Sequence, residues 1–288
     1  MRLYIVDVFT TQRFGGNTAG VVLLNPGEPF PDDAFMQQLA AELRYSETVF
    51  VYSTPAGEYT LRYFTPTEEV DLCGHATVGA FWVLREAGAL GAQKTAVYTK
   101  AGVIGVLVSD VGVMVEMCES EETAVLSGKE SAEIYAAIGL DSPAQPHLPC
   151  AVVCTGLADL IVPVASVAAL RCAAPDLSQI RALSAQYGVV GMHVFAFSAE
   201  KSILAECRNF APLVDIPEEA ATGTATASLS YYLYRRNLMK TGERYLFSQG
   251  QNLNRPSCIH AAVRHSPART TVEIGGGAVI VCHGEVVD

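Results

Sequence analysis

Positive charge is scarce in this chain. Its 288 residues hold 19 Lys and Arg against 30 Asp and Glu, a formal net charge of −11. Phosphate binding needs a basic face, so this balance argues against a nucleic-acid partner. Charge of either sign is thin: 17% of residues are charged and half are apolar. That composition excludes a disordered chain and supplies apolar surface for two cores. Long uninterrupted apolar runs are missing as well. The opening Met1-Arg2-Leu3-Tyr4-Ile5-Val6-Asp7 places an acid where a signal peptide needs an apolar centre. Ala151 to Leu170 is interrupted by Asp159 and Pro163, so it reads as buried strands and a helix start, with no membrane partner. The eight cysteines lack disulfide-like or zinc-like spacing, which predicts reduced thiols in a cytoplasmic protein. There is no strand–GxGxxG–helix unit, no GxxxxGK[ST] loop and no cluster of metal ligands. The expectation is chemistry without cofactor or metal.

What the chain does have is a long internal repeat. Glu47-Thr48-Val49-Phe50-Val51-Tyr52-Ser53 is echoed by Met192-His193-Val194-Phe195-Ala196-Phe197-Ser198. Arg62-Tyr63-Phe64-Thr65-Pro66 returns as Arg208-Asn209-Phe210-Ala211-Pro212, and Gly74-His75-Ala76-Thr77 as Gly223-Thr224-Ala225-Thr226. A period of about 145 residues is too long for a solenoid and predicts two related domains. The expected boundaries are 1–118 and 123–276, with the terminal strand 277–288 completing the first domain and the acidic patch 119–122 as linker. Alternation predicts strands over 2–10, 21–24, 47–53, 59–64, 95–99, 103–109 and 111–117 in the first half. Helical spacing covers 32–43, and an apolar helix over 74–87 should run through the domain centre. In the second half Ala151–Thr155 parallels Val6–Thr10, Leu183–Gln186 parallels Leu39–Glu42, and 222–236 is the central helix. Strands are expected again over 257–263 and 271–282, broken at Gly275-Gly276-Gly277. The fold class is therefore α+β, with two pseudo-symmetric domains, each a sheet wrapped round a central helix. Two such domains would face one another across a cleft, where small-molecule sites form.

Each central helix opens on small residues, Cys73-Gly74-His75-Ala76 and Thr222-Gly223-Thr224-Ala225. A helix start carries unpaired N–H groups and the positive end of the dipole, and glycine lets a ligand approach the backbone. Both starts aimed at one carboxylate would make an anion site; close helix packing explains the glycines equally well. Glu47 falls on the strand face of Val49 and Val51, and its repeat partner is Met192. An inward carboxyl is raised toward neutrality by desolvation, which suits a group that takes and returns a proton. His75 near the dipole's positive end should be neutral, either relaying protons or simply packing. Cys73 offers a thiol base or a packing group.

Several motifs carry a resemblance. Ser46-Glu47-Thr48, Asp71-Leu72-Cys73-Gly74-His75-Ala76-Thr77 and Ala221-Thr222-Gly223-Thr224-Ala225 resemble the phenazine-biosynthesis PhzF-like family. Val6–Thr10 with Gly16-Asn17, Gln249-Gly250 and Arg255-Pro256-Ser257 extend the likeness over most of the chain. The resemblance implies the diaminopimelate epimerase fold, cofactor-free proton transfer and a homodimer. It assigns Glu47 as the catalytic glutamate and Gly74 and His75 as the substrate-side pair. The family's second motif, Glu-Asp-Pro-Ala-Thr-Gly-Ser-Ala, is here Glu218-Glu219-Ala220-Ala221-Thr222-Gly223-Thr224-Ala225. Glu219 thus stands in for the second acid, with its carboxylate displaced by roughly an ångström, a shift to which catalytic geometry is sensitive.

Three readings follow. The first is a cofactor-independent isomerase of a small carboxylate-bearing metabolite. Glu47 moves the proton, His75 and Glu219 assist, and Cys73, Gly74, Thr222, Gly223 and Thr224 bind the substrate. The second is an epimerase or racemase using Glu47 and Cys73 on opposite faces. A two-thiol mechanism is not expected, because Thr222 stands where the second cysteine would be. The third is a non-catalytic metabolite-binding or scaffold protein. Proton exchange with solvent separates the enzymes from the third, and product stereochemistry separates the first two.

Overall fold

The structure, a computed structural model, describes residues 1–140 and 148–287. The chain divides into two compact units, residues 1–116 with 275–288 (unit 1) and 117–274 (unit 2).

Unit 1 is built from β1 (Arg2–Val8), β2 (Asn17–Leu23), α1 (Asp33–Leu43), β3 (Glu47–Ser53), β4 (Tyr59–Phe64), β5 (Glu69–Val70), α2 (Gly74–Glu86), β6 (Gln93–Thr99), β7 (Gly102–Ser109) and β8 (Gly112–Glu119), with β18 (Ala278–Glu285) returning from the end of the chain. Pairing gives the order β18-β1-β2-β3-β4-β6-β7-β8, parallel at β2/β3 and β4/β6 and otherwise antiparallel. α2 packs on β18, β1, β2, β3 and β7, strands from both ends of that order. The sheet therefore rolls round the helix. α2 can fill that position because its first eight residues are all buried. Gly79 brings it onto β1, since a Cβ there would sit 3.1 Å from Val8 Cγ2. The outer face of the sheet is covered by α1, whose Met36 and Ala40 pack with Val22, Phe50 and Phe64. α1 starts where the Asp32 side chain accepts a hydrogen bond from the Phe35 N–H and stops at left-handed Arg44.

Unit 2 repeats the plan with β9 (Glu121–Val125), α3 (Gly128–Ala137), β10 (Ala151–Thr155), β11 (Leu157–Pro163), α4 (Val167–Cys172), α5 (Leu177–Tyr187), β12 (Gly191–Phe197), β13 (Ala205–Ala211), β14 (Ile216–Glu219), α6 (Gly223–Arg235), β15 (Arg244–Gln249), β16 (Ser257–His265) and β17 (Thr270–Gly276). The order β9-β10-β11-β12-β13-β15-β16 has its parallel pairs at β11/β12 and β13/β15, the same places as in unit 1. α6 lies on β10, β11, β12 and β16. The outer face packs on α3, α4 and α5 through Ile134, Leu170, Ile180 and Leu183. Ala151 to Leu170 is two strands and a helix start, and no helix among the described residues is long and apolar enough to cross a membrane.

Two expectations need correction. The acidic patch is not a linker: Glu119 ends β8, and Glu121 and Glu122 in β9 pair with Cys154 and Val153. Alternate side chains turned to solvent explain its polarity, because an edge strand needs only one apolar face. The repeat register also shifts by one residue. Arg62 pairs with Phe50 and Arg208 with Val194, so Phe50 matches Val194 and Glu47 matches Gly191, not Met192. Met192 lies with Val194 in the outer core. In the first strand the shift is two residues: Val6 matches Val153, not Ala151, and Val8 matches Thr155, following the ladder Val6–Ala19–Glu47 in one unit and Val153–Asp159–Gly191 in the other. Both faces of these strands are buried, so the sequence lacks the alternation that fixes register, and a one-residue slip reverses every side chain.

Candidate active site

The start of α2 gathers the unit 1 residues. Tyr63, fully buried on β4, has its hydroxyl 2.7 Å from Thr77 Oγ1, which donates to the Cys73 carbonyl at 2.7 Å. That chain of hydroxyls fixes the residue before the helix. Cys73 makes no side-chain cap bond, and the helical ladder begins at the Thr77 N–H bonded to the Cys73 carbonyl. The N–H groups of Gly74, His75 and Ala76 therefore precede the ladder and point out of the helix end. His75 is buried, with Nδ1 3.3 Å from Cys73 Sγ and Nε2 3.3 Å from Glu47 Oε2. Burial pushes His75 down to about 4, so it is neutral at pH 7. Nε2 faces the carboxylate without completing a hydrogen bond. Glu47 is 18% exposed at its side chain, on the inner face as alternation predicts.

One donor atom each from Glu47, Cys73 and His75 lies within 4.8 Å of the others. A metal would need one His nitrogen and the other two donors round a single point at about 2.0–2.3 Å. The imidazole instead turns a different nitrogen to each neighbour, so the ring stands between thiol and carboxylate. That arrangement is a proton path more than a chelate.

The start of α6 gathers the unit 2 residues. Thr222 occupies the position of Cys73 and Thr226 Oγ1 donates to its carbonyl at 2.8 Å, as Thr77 does in unit 1. The Thr222 hydroxyl donates to Glu219 Oε2 at 2.7 Å. A carboxylate base is thus present beside this hydroxyl. Gln249, 1% exposed, holds the turn: its Nε2 donates to the Glu219 carbonyl and to Thr222 Oγ1, and its Oε1 accepts from the Thr222 N–H. Gly223 and Thr224 supply the first turn of α6.

Glu47, Cys73, Gly74 and His75 are thus together in unit 1, and Glu219, Thr222, Gly223 and Thr224 in unit 2. A depression lined by Phe197, Lys201, Leu204, Arg244 and His260 contains none of them; it holds no buried acid–base pair and is not the candidate site. Two side chains escaped the sequence reading. In the sequence Gln249 stands out only within a motif. Asp159 stands out only as an interruption, although an acid inside an apolar strand is the available signal.

A family profile described as phenazine biosynthesis-like protein, PhzC-PhzF, matches residues 6–284. A Deinococcus radiodurans protein described as an uncharacterized isomerase is 38% identical over 290 residues, covering 97% of this chain and 92% of its own. The crystal structure of a Bacillus anthracis phenazine biosynthesis protein of the PhzF family matches at TM-score 0.87 and 25% identity, covering 100% of this chain and 99% of that one. A hydroxyproline epimerase from Agrobacterium vitis, solved with bound trans-4-hydroxy-L-proline, matches at TM-score 0.61 and 13% identity, covering 99% and 91%. That last likeness concerns the fold alone. The chain belongs to the phenazine biosynthesis-like PhzC-PhzF family and is an enzyme of the isomerase type.

Proposed function

We propose that the protein is a cofactor-independent isomerase that moves a proton on a small carboxylate-bearing substrate bound at the helix starts. The observation that carries this reading is the inward Glu47 carboxylate 3.3 Å from a neutral, buried His75. Glu47 takes a proton from a substrate carbon, the electron pair of the broken C–H bond moves into an enolate oxygen, and the protonated Glu47 returns the proton to another carbon of the same molecule. N–H groups at the two helix starts stabilise the developing oxyanion. His75 keeps the carboxylate in place without competing for its proton, because its own proton affinity is lowered by burial. Glu219, tied to Thr222, orients the substrate's polar groups. The hydrogen-bonded Glu219–Thr222–Gln249 cluster speaks against a decayed site.

The epimerase reading has one observation in its favour, Cys73 Sγ on the other side of the same imidazole. The test is proton exchange into small amino and hydroxy acids in deuterated water, using hits from a thermal-shift screen. The isomerase reading expects exchange with a rearranged product and none with Glu47→Gln. Exchange with inverted stereochemistry at an unmoved double bond pattern supports the epimerase instead.

A further inference from the structure

Asp159 is a buried acid that the mechanism above does not use. It lies on the face of β11 turned to α6, because Leu160 and Val162 belong to the core on the opposite face. Its residue is 3% exposed and Oδ2 has no hydrogen-bond partner. The rung it occupies is informative. Unit 1 pairs Ala19 with Glu47, and unit 2 pairs Asp159 with Gly191. Each unit therefore carries one carboxyl on the same rung, on β3 in one and on β11 in the other. Gly191 cannot carry it, since a Cβ there would lie 2.2 Å from the Phe210 carbonyl oxygen. Ala19, fully buried, shows that a methyl group closes the Asp159 position with the fold intact. An unpaired buried acid is costly, and this fold does not need it.

We propose that Asp159 is the unit 2 counterpart of Glu47 and a positioning residue for Glu219, holding a proton so that this half of the site presents one negative charge to an anionic substrate. The inference rests on the isomerase reading. Burial, and then the nearby Glu219 carboxylate, push Asp159 up to about 8. The other titratable group facing it is His193 on β12, bonded to Asn209 and kept neutral by burial, while Cys154 on β10 pairs with Ala158 on the outer face. The first turns of α6, Gly223 to Ala227, carry no titratable side chain. Arg208 on β13 is turned to the outer face, in an ion pair with Glu218. Among the described residues no cation therefore offsets a charge on Asp159, and its ionisation would place a second carboxylate beside Glu219.

The test is infrared titration of the ligand-free protein, read as the difference between wild type and Asp159→Asn. A protonated carboxylic band present at pH 6.5 and lost near pH 8 is expected. In Glu219→Gln the midpoint should fall by roughly half a pH unit or more, as removal of a neighbouring like charge requires. Thermal stabilisation by acetate should weaken above pH 8 in wild type and not in Asp159→Ala, whose side chain matches Ala19. Absence of the band at pH 6.5, a midpoint unmoved by Glu219→Gln, or the same acetate profile in Asp159→Ala each overturns the proposal. The infrared band does not depend on turnover. A band without proton exchange sinks the isomerase reading, and exchange without the band sinks this inference alone.

Discussion

In unit 1 the acid stands on β3 and meets the imidazole of the central helix; in unit 2 the matching position is Gly191 and the acid stands one strand away, at Asp159. The backbone plan is shared down to the two parallel pairs and the hydroxyl that bonds the carbonyl before each helix. The side chains on that plan have diverged in kind. Unit 1 aligns thiol, imidazole and carboxylate, groups that exchange protons. Unit 2 surrounds its helix start with hydroxyl, amide and carboxylate groups linked by hydrogen bonds, which suit holding a ligand. Duplication has preserved geometry, because the rolled sheet depends on it, and left the inner rung free to specialise.

Four comparisons would break or sharpen that contrast. The largest effect is expected at Glu47. Glu47→Gln should fold normally and lose about a thousandfold in turnover, while Glu219→Gln should lose only about ten- to a hundredfold. Proton-exchange rates measure both, and equal losses would erase the division of labour between the units.

Next is Gly191→Ala. The added Cβ would meet backbone of the neighbouring strand, so a destabilisation of about 2–3 kcal/mol is expected from overpacking, read from urea melts. Glu47→Ala at the matching position should cost far less. A well-tolerated Gly191→Ala would mean that the rung is not closed to side chains in unit 2.

The third concerns stability and pH. Asp159 is raised in the folded state, so the native protein binds more protons than the unfolded chain between about pH 4 and pH 8, and stability falls as pH rises through that range. Asp159→Ala lacks that slope. Its melting temperature should exceed that of wild type by roughly 2–4 °C at pH 8.5, with little difference at pH 4.5. The acid limb has the opposite origin: His75 and His193 are lowered to about 4, so stability is lost as pH falls from 6.5 toward 4. The smallest effect is expected for Cys73→Ser, which should stay within about tenfold of wild type if Glu47 acts alone, a loss smaller than general-base removal gives. A folded but inactive variant would promote the epimerase.

Much of the architecture was legible in the chain. The repeat announced two related units, and the largely apolar runs after Gly74 and Gly223 announced helices that run through the middle of a core. The inward face of Glu47 also followed from alternation within one strand. The pairing of the two halves did not. Hydrophobic runs buried on both faces look alike in either register, so Met192 stood in for Gly191 until the ladder at Arg62 and Arg208 resolved it.

The sequence by itself determined what can be stated residue by residue along one element: the duplicated plan, the buried helices with small residues at their starts, and the acid on the inner face of β3. Only the tertiary structure decided which groups share a rung or a turn. Asp159 opposite Gly191, Gln249 across the Thr222 turn, and one imidazole between Cys73 and Glu47 are meetings of strands and helices far apart in the chain. The physical reason is that hydrophobic burial is satisfied by either register, whereas polar contacts need atoms within hydrogen-bond distance, which only the assembled sheet and helix supply.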